Sequence, residues 1–291
     1  MKKLLWILLI TSLGLLLLLA NGESSLPEGE ATPASSRQAV YGNNFFDPRS
    51  FSYGNNAEVT EESKIFGAVV PHHLLAYKLI DPVFNKIALE KPATIILIGP
   101  NHFNQGARIL TTPWGWQTPF GIVESDQAII DSLVADQLVK VNEEVFKSEH
   151  SIGSLMPFLK FYLPETQVVP IILHHDVTRQ EARELGKYLA ELVGDKNCLV
   201  MASVDFSHYL TREEAELKDR ETIEALKNKN MGKIFSMGND YLDSPASIGV
   251  LFSAMEELGK EDFRILDNIN SGVILNNDLI ETTSYLTLMF E

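Results

Sequence analysis

Apolar residues follow two rhythms along the chain. Short apolar or β-branched runs occur at 65–70 (IFGAVV), 94–99 (TIILIG), 107–112 (ARILTT), 167–173 (QVVPIIL), 198–204 (CLVMASV), 263–269 (FRILDNI) and 284–290 (SYLTLMF). Continuous runs of this kind predict strands buried on both faces. Between them the period lengthens to that of a helix. Segment 178–194 puts Ala182, Leu185, Leu189 and Leu192 on one face, with Thr178 as N-cap and Gly194 past the end. Segment 211–228 opens on a Thr211–Glu214 capping box. Segment 244–259 has Ser244 at the N-cap, Pro245 in the first turn and Gly259 as a stop. Strand–helix alternation predicts an α/β fold, a mainly parallel or mixed sheet flanked by helices on both faces, in a single domain.

The ends of the pattern set the organisation. Residues 1–22, MKKLLWILLITSLGLLLLLANG, pair a basic start with an apolar block and finish on small residues, so a signal peptide or an N-terminal membrane anchor is expected. The expected location is then periplasmic or extracellular, or anchored by this segment, which would be the chain's one contact with a membrane. Residues 23–42, rich in Ser, Pro, Glu and Ala, read as a disordered linker, leaving 43–291 as the domain.

Charge and cysteine content narrow the function classes. Asp and Glu outnumber Lys and Arg 39 to 24, a net charge of −15, which argues against nucleic acid as a partner. Cys198 is the single cysteine, so the fold has no internal disulfide to rest on, and the residue reads as a small buried hydrophobe.

The candidate chemistry lies in the histidines. His72, His73, His102, His174, His175 and His208, six of the seven, stand at or just past the end of a predicted strand. In open α/β sheets the carboxyl edge is where ligands bind, and parallel neighbours would gather these imidazoles into a metal or acid–base site. His150 begins a helix and reads as a turn residue or a pocket group. Asp205 and His208 share one turn in SVDFSH (203–208). There a carboxylate orients an imidazole or works beside it in acid–base catalysis, unless Asp205 serves only to cap the turn before Thr211. No Gly-x-Ser-x-Gly elbow accompanies Ser203 and Ser207, and P-loop, Rossmann, His-Glu-x-x-His and Cys-x-x-Cys patterns are absent.

The pieces VVPHH (69–73), ILIGPNHF (96–103), WQTPFG (116–121), EHSIGSLMPFL (149–159), VVPIIL (168–173), SVDFSH (203–208) and SIGVLFSAMEEL (247–258) together resemble the Memo family, whose prokaryotic members are called AmmeMemoRadiSam system protein B. The resemblance implies a fold similar to the catalytic subunit of class III extradiol dioxygenases. It also implies a metal pocket formed by the histidine of "PH", the histidine of "GP-x-H" and a cysteine shortly before "IGV". Carried across, these positions are His72, His102 and, in place of the cysteine, Asp243. Asp205 and His208 lie beside the pocket as acid–base groups, with His150 at the helix start. Two departures stand out: His73-Leu74-Leu75 replaces the usual Ala-Gly-Tyr, and the carboxylate replaces the thiolate.

Two imidazoles and one carboxylate suit non-haem Fe(II), with copper or zinc as alternatives. Asp243 also reads as an ordinary residue at a helix N-terminus. The function expected is oxygen-dependent or redox chemistry on a small molecule. The alternatives are a non-enzymatic module at the cell surface that binds metal or a protein partner, and an adaptor without metal.

Overall fold

The structure, a computed structural model, describes residues 39–42, 44–51 and 64–291. Its strands in chain order are β1 Val40–Tyr41, β2 Gly67–Val70, β3 Thr94–Pro100, β4 Ile109–Thr111, β5 Gly115–Thr118, β6 Gly121–Val123, β7 Lys140–Val141, β8 Gln167–Leu173, β9 Cys198–Ser203, β10 His208–Leu210, β11 Phe263–Asn270 and β12 Thr282–Phe290. The helices are α1 Tyr77–Glu90, α2 Gln127–Ala135, α3 Glu143–Phe146, α4 His150–Gly153, α5 Met156–Tyr162, α6 Arg179–Asp195, α7 Arg212–Lys227, α8 Met231–Ile234, α9 Pro245–Glu257 and α10 Ser271–Leu275.

The main sheet runs β10-β12-β2-β9-β3-β8-β4-β7, with β11 also on β12. Its centre, β2-β9-β3-β8, is parallel throughout, and antiparallel pairs β12-β2 and β4-β8 flank that centre. The fold is thus mixed α/β, as the alternation predicts. Each central strand is buried along nearly its whole length and feeds two cores. Ile96, Ile98, Val169, Ile171, Val200 and Ala202 face Leu185 and Leu189 of α6 and Val250 and Leu251 of α9. Ile95, Leu97, Val168, Ile172, Leu199 and Met201 face Ile80, Phe84 and Ile87 of α1 and Phe158 of α5. Alternate residues of one strand point to opposite sides of the sheet, so these strands are apolar along their interiors, with polar residues only at their ends, Thr94, Gln167 and Ser203.

Helices α6, α7 and α9 begin where the capping signals place them. Thr178 accepts from the Glu181 N–H, Thr211 from that of Glu214, and Ser244 from that of Ser247. Cys198 is buried and free. Val40–Tyr41, within the segment read as linker, pairs in parallel with β5, and the Tyr41 ring is buried against Trp116.

The membrane and export expectations are corrected. Among the described residues no helix is long and apolar enough to cross a membrane. The longest of them, α6, carries charged residues on its outer face and buries only the other against the sheet. The apolar leader and most of the linker lie outside the described residues.

Candidate functional site

The parallel centre places the ends of β2, β9 and β3 side by side. His72 follows β2, Asp205 follows β9, and His102 follows β3. Asp243 arrives from the turn before α9, and His150 from the first position of α4. His72 Nε2 lies 3.3 Å from Asp243 Oδ2 and 3.5 Å from Asp205 Oδ2, and His102 Nε2 lies 3.8 Å from Asp243 Oδ2. The His102 and His150 rings stack with centroids 4.0 Å apart, and His72 stands nearly perpendicular to both. Potential ligand atoms of His72, His102 and His150, and likewise of His72, Asp205 and Asp243, all lie within 4.8 Å of one another.

Hydrogen bonds assign the protons on the two imidazoles. Ser203 Oγ donates its one proton to the Ser151 carbonyl at 2.6 Å. It therefore accepts from His72 Nδ1 at 3.1 Å, which leaves the His72 Nε2 lone pair facing the carboxylates. Burial holds His72 well below the usual histidine range, so the ring is neutral. For His102, the buried Glu149 accepts from its Nδ1 at 2.7 Å, from the His102 backbone N–H at 2.9 Å and from the Ser151 N–H at 2.9 Å. Burial alone would raise the Glu149 carboxyl, but these donors hold it below its ordinary value. The Nε2 of His102 then also turns to Asp243. A carboxylate behind an imidazole is the arrangement that fixes a metal-ligating histidine.

Asp243 is not the cap of α9, since Ser244 fills that place. Its N–H donates to the Asp205 carbonyl, its Oδ2 accepts from the Asp205 N–H at 3.3 Å, and its buried Oδ1 has no partner. Burial, and then the neighbouring Asp205, push its carboxyl well above the usual range. Asp205 accepts from the His72 N–H at 3.0 Å, so it braces the turn after β2, and Thr211 caps the next helix without it. Burial raises the Asp205 carboxyl. Burial lowers His208, whose Nδ1 is buried without a partner, and His150 is lowered in the same way.

The remaining histidines lie further out. His73 bonds the buried Tyr285 hydroxyl at 2.5 Å, and His174 bonds Asp176 at 2.7 Å and the Asn104 carbonyl at 3.0 Å. Two clefts reach the cluster. One of about 700 Å³ is lined by His102, Asp243, His174 and His175, and one of about 490 Å³ by Phe45, His72, His73, His150 and Asp205. Glu149 and Ser203, which set both tautomers, were not singled out from the sequence for these roles. A carboxylate just before a helix reads as a cap, and Glu149 does cap α4 as well.

This fold and this histidine–carboxylate cluster at the carboxyl edge define an α/β protein with a candidate metal pocket. The family described as Memo-like protein matches residues 49–289, and the chain belongs to that family. It is 28% identical over 242 residues to a MEMO1 family protein of Aquifex aeolicus, covering 80% of this chain and 88% of that one. Against MEMO1 family protein MK0963 of Methanopyrus kandleri it is 31% identical over 238 residues, 77% of this chain and 82% of that one. The crystal structure of uncharacterized protein JW3007 from Escherichia coli K12 shares the fold, with a TM-score of 0.57 at 14% identity over 78% of this chain and all of that one.

Proposed function

We propose that His72, His102 and Asp243 hold one divalent metal ion, with Fe(II) preferred over copper or zinc, and that the site carries out oxygen-dependent or redox chemistry on a small molecule. The observation that carries this is the convergence of two Nε2 lone pairs on Asp243 Oδ2, at 3.3 and 3.8 Å, beside the orphaned Asp243 Oδ1. Lone pairs and carboxylate oxygens repel one another unless a cation or a proton lies between them. Donor atoms of one ion held at about 2.1 Å are roughly 3.0–3.4 Å apart, close to the spacing here. The residues therefore fit an ion, and the oxygen donor in the third position favours a harder metal than a thiolate would.

A bound ion of this kind would supply open positions for oxygen and substrate donors. Around it the side chains divide the remaining work. Glu149 keeps the Nδ1 proton on His102, and Ser203 keeps that on His72. Asp205, with its raised carboxyl, holds or releases a proton next to His72. His208 and His150, both lowered by burial, are neutral bases at neutral pH, His150 stacked on His102.

The test is metal analysis of anaerobically purified protein, followed by oxygen uptake with catechols. One equivalent of metal, lost in His72→Ala, supports the site. Unchanged metal content in that variant overturns it, and metal without turnover leaves a binding module in place of an enzyme.

A further inference from the structure

The larger cleft has a second chemical feature besides the histidine–carboxylate cluster, and it concerns arginine. In a chain with a net charge of −15, most described arginines have found an acid. Arg49, Arg108, Arg212 and Arg264 each have a carboxylate within 3.2 Å. Arg179, Arg183 and Arg220 have none among the described residues, and of these three only Arg179 lines the cleft that also contains His102 and Asp243. Asp176, the other acid of that wall, is already engaged by His174 at 2.7 Å and Arg108 at 3.3 Å.

Arg179 is the first residue of α6, and its backbone is fixed by the Thr178–Glu181 capping box. Its Nη1 reaches to 3.9 Å from the place a Cβ would take on Gly232, so the side chain extends toward α8. Leu173, Val177, Phe235 and Leu242 give the wall apolar stretches, and Asn101, Asn104, Thr178 and Asn239 are among its polar residues. A cleft of about 700 Å³ is of the size that takes a small organic ligand.

The geometry points to a carboxylate-bearing small molecule as the ligand of this cleft, its apolar body against Phe235 and Leu242 and its carboxylate on Arg179. A guanidinium presents a planar fork of donors that matches a carboxylate. On a strongly acidic protein the overall field disfavours anions, so an unpaired cation in the wall of the cleft gives a carboxylate a local partner there. This inference deepens the proposed function, because the opposite part of the same ligand would face the His102–Asp243 cluster. The anion contact itself does not need the metal.

The test titrates full-length protein with benzoate and with benzyl alcohol, a neutral molecule of similar shape, by calorimetry. Benzoate is expected to bind at least about tenfold more tightly, the usual scale of a charge-assisted hydrogen bond. Arg179→Gln should abolish that difference, while Arg220→Gln, the same charge change on α7, should keep it. Equal affinity for the acid and the alcohol overturns the inference, as does an equal loss in both variants, which would mean long-range charge alone. Metal content is measured on the same samples and should be unchanged in Arg179→Gln. A metal-free protein that still prefers benzoate through Arg179 keeps this inference and sinks the metal reading.

Discussion

Glu149 Oε1 accepts the Nδ1 proton of His102 at 2.7 Å while its Oε2 holds the backbone N–H of the same residue at 2.9 Å. One buried carboxylate thereby sets both the ring tautomer and the position of the chain that carries it. If His102 binds metal through Nε2, Glu149→Gln should weaken metal binding about 10- to 100-fold, the usual effect of losing such a partner, with little change in fold. Calorimetric titration with Fe(II) or Zn(II) under anaerobic conditions checks this. Wild-type affinity in the variant would mean that the carboxylate serves only to cap α4.

The carboxylate at position 243 gives a second prediction. Asp243→Ala should lose most of the metal. Asp243→Cys, which restores the residue implied by the family resemblance, should retain it but shift preference from Fe(II) toward softer ions such as Cu(I) and Zn(II). Competitive loading followed by elemental analysis reads the preference directly. If the cysteine variant shows the same preference as the wild type, Asp243 is not a ligand.

The fold was legible where burial is two-sided. Strand β8, Gln167–Leu173, coincides with its apolar run because nothing in that run has to face water. The β5–β6 hairpin was not legible: its strands are short, Gln117 is exposed between buried Trp116 and Thr118, and Ile122 is exposed beside buried Val123. Helix α1 was hidden by Pro82 within it, a residue that ordinarily ends a helix. At the site, His72 and His102 could be found because each follows a buried strand, β2 and β3, that flanks β9 in the parallel centre. His150 and Glu149 reach the same place from a helix start, and sequence spacing carries no sign of that approach. The packing of α4 on the end of β3 is a tertiary fact.

In metal-free protein, Asp243 predicts a pH dependence. Burial raises its folded-state carboxyl above the unfolded value near 3.8, so between that value and the folded one the native state binds more protons than the unfolded state. This group's contribution to stability therefore falls as pH rises through that window. Asp243→Asn removes the ionisation and should raise the melting temperature of chelator-treated protein at pH 7. The gain should shrink on acidification and vanish below about pH 3.8, where the wild-type carboxyl is protonated in both states. A gain independent of pH would show that the buried charge is not its source. Saturating metal should reverse the order at pH 7, because only the wild type keeps its ligand.

The last prediction concerns how α4 is seated. A Cβ on Gly99 would lie 2.7 Å from Ser151 Oγ and 2.9 Å from Ser151 Cβ, closer than side-chain atoms approach. Ser151 in turn donates to the Pro100 carbonyl at 2.9 Å and accepts at its own carbonyl from Ser203, so this contact ties α4 to the ends of β3 and β9. Gly99→Ala must push α4 outward, and Glu149 and His150 move with it. The expected cost is about 1–3 kcal/mol in stability, as for other overpacked cores, together with weaker metal binding. Urea melts and metal titration read the two effects separately. Adding Ser151→Gly, which removes both clashing atoms, should recover part of the stability lost, and a double-mutant cycle isolates that coupling. Wild-type stability in Gly99→Ala alone would show that α4 yields freely, and that Glu149 is not held in place by the strand end.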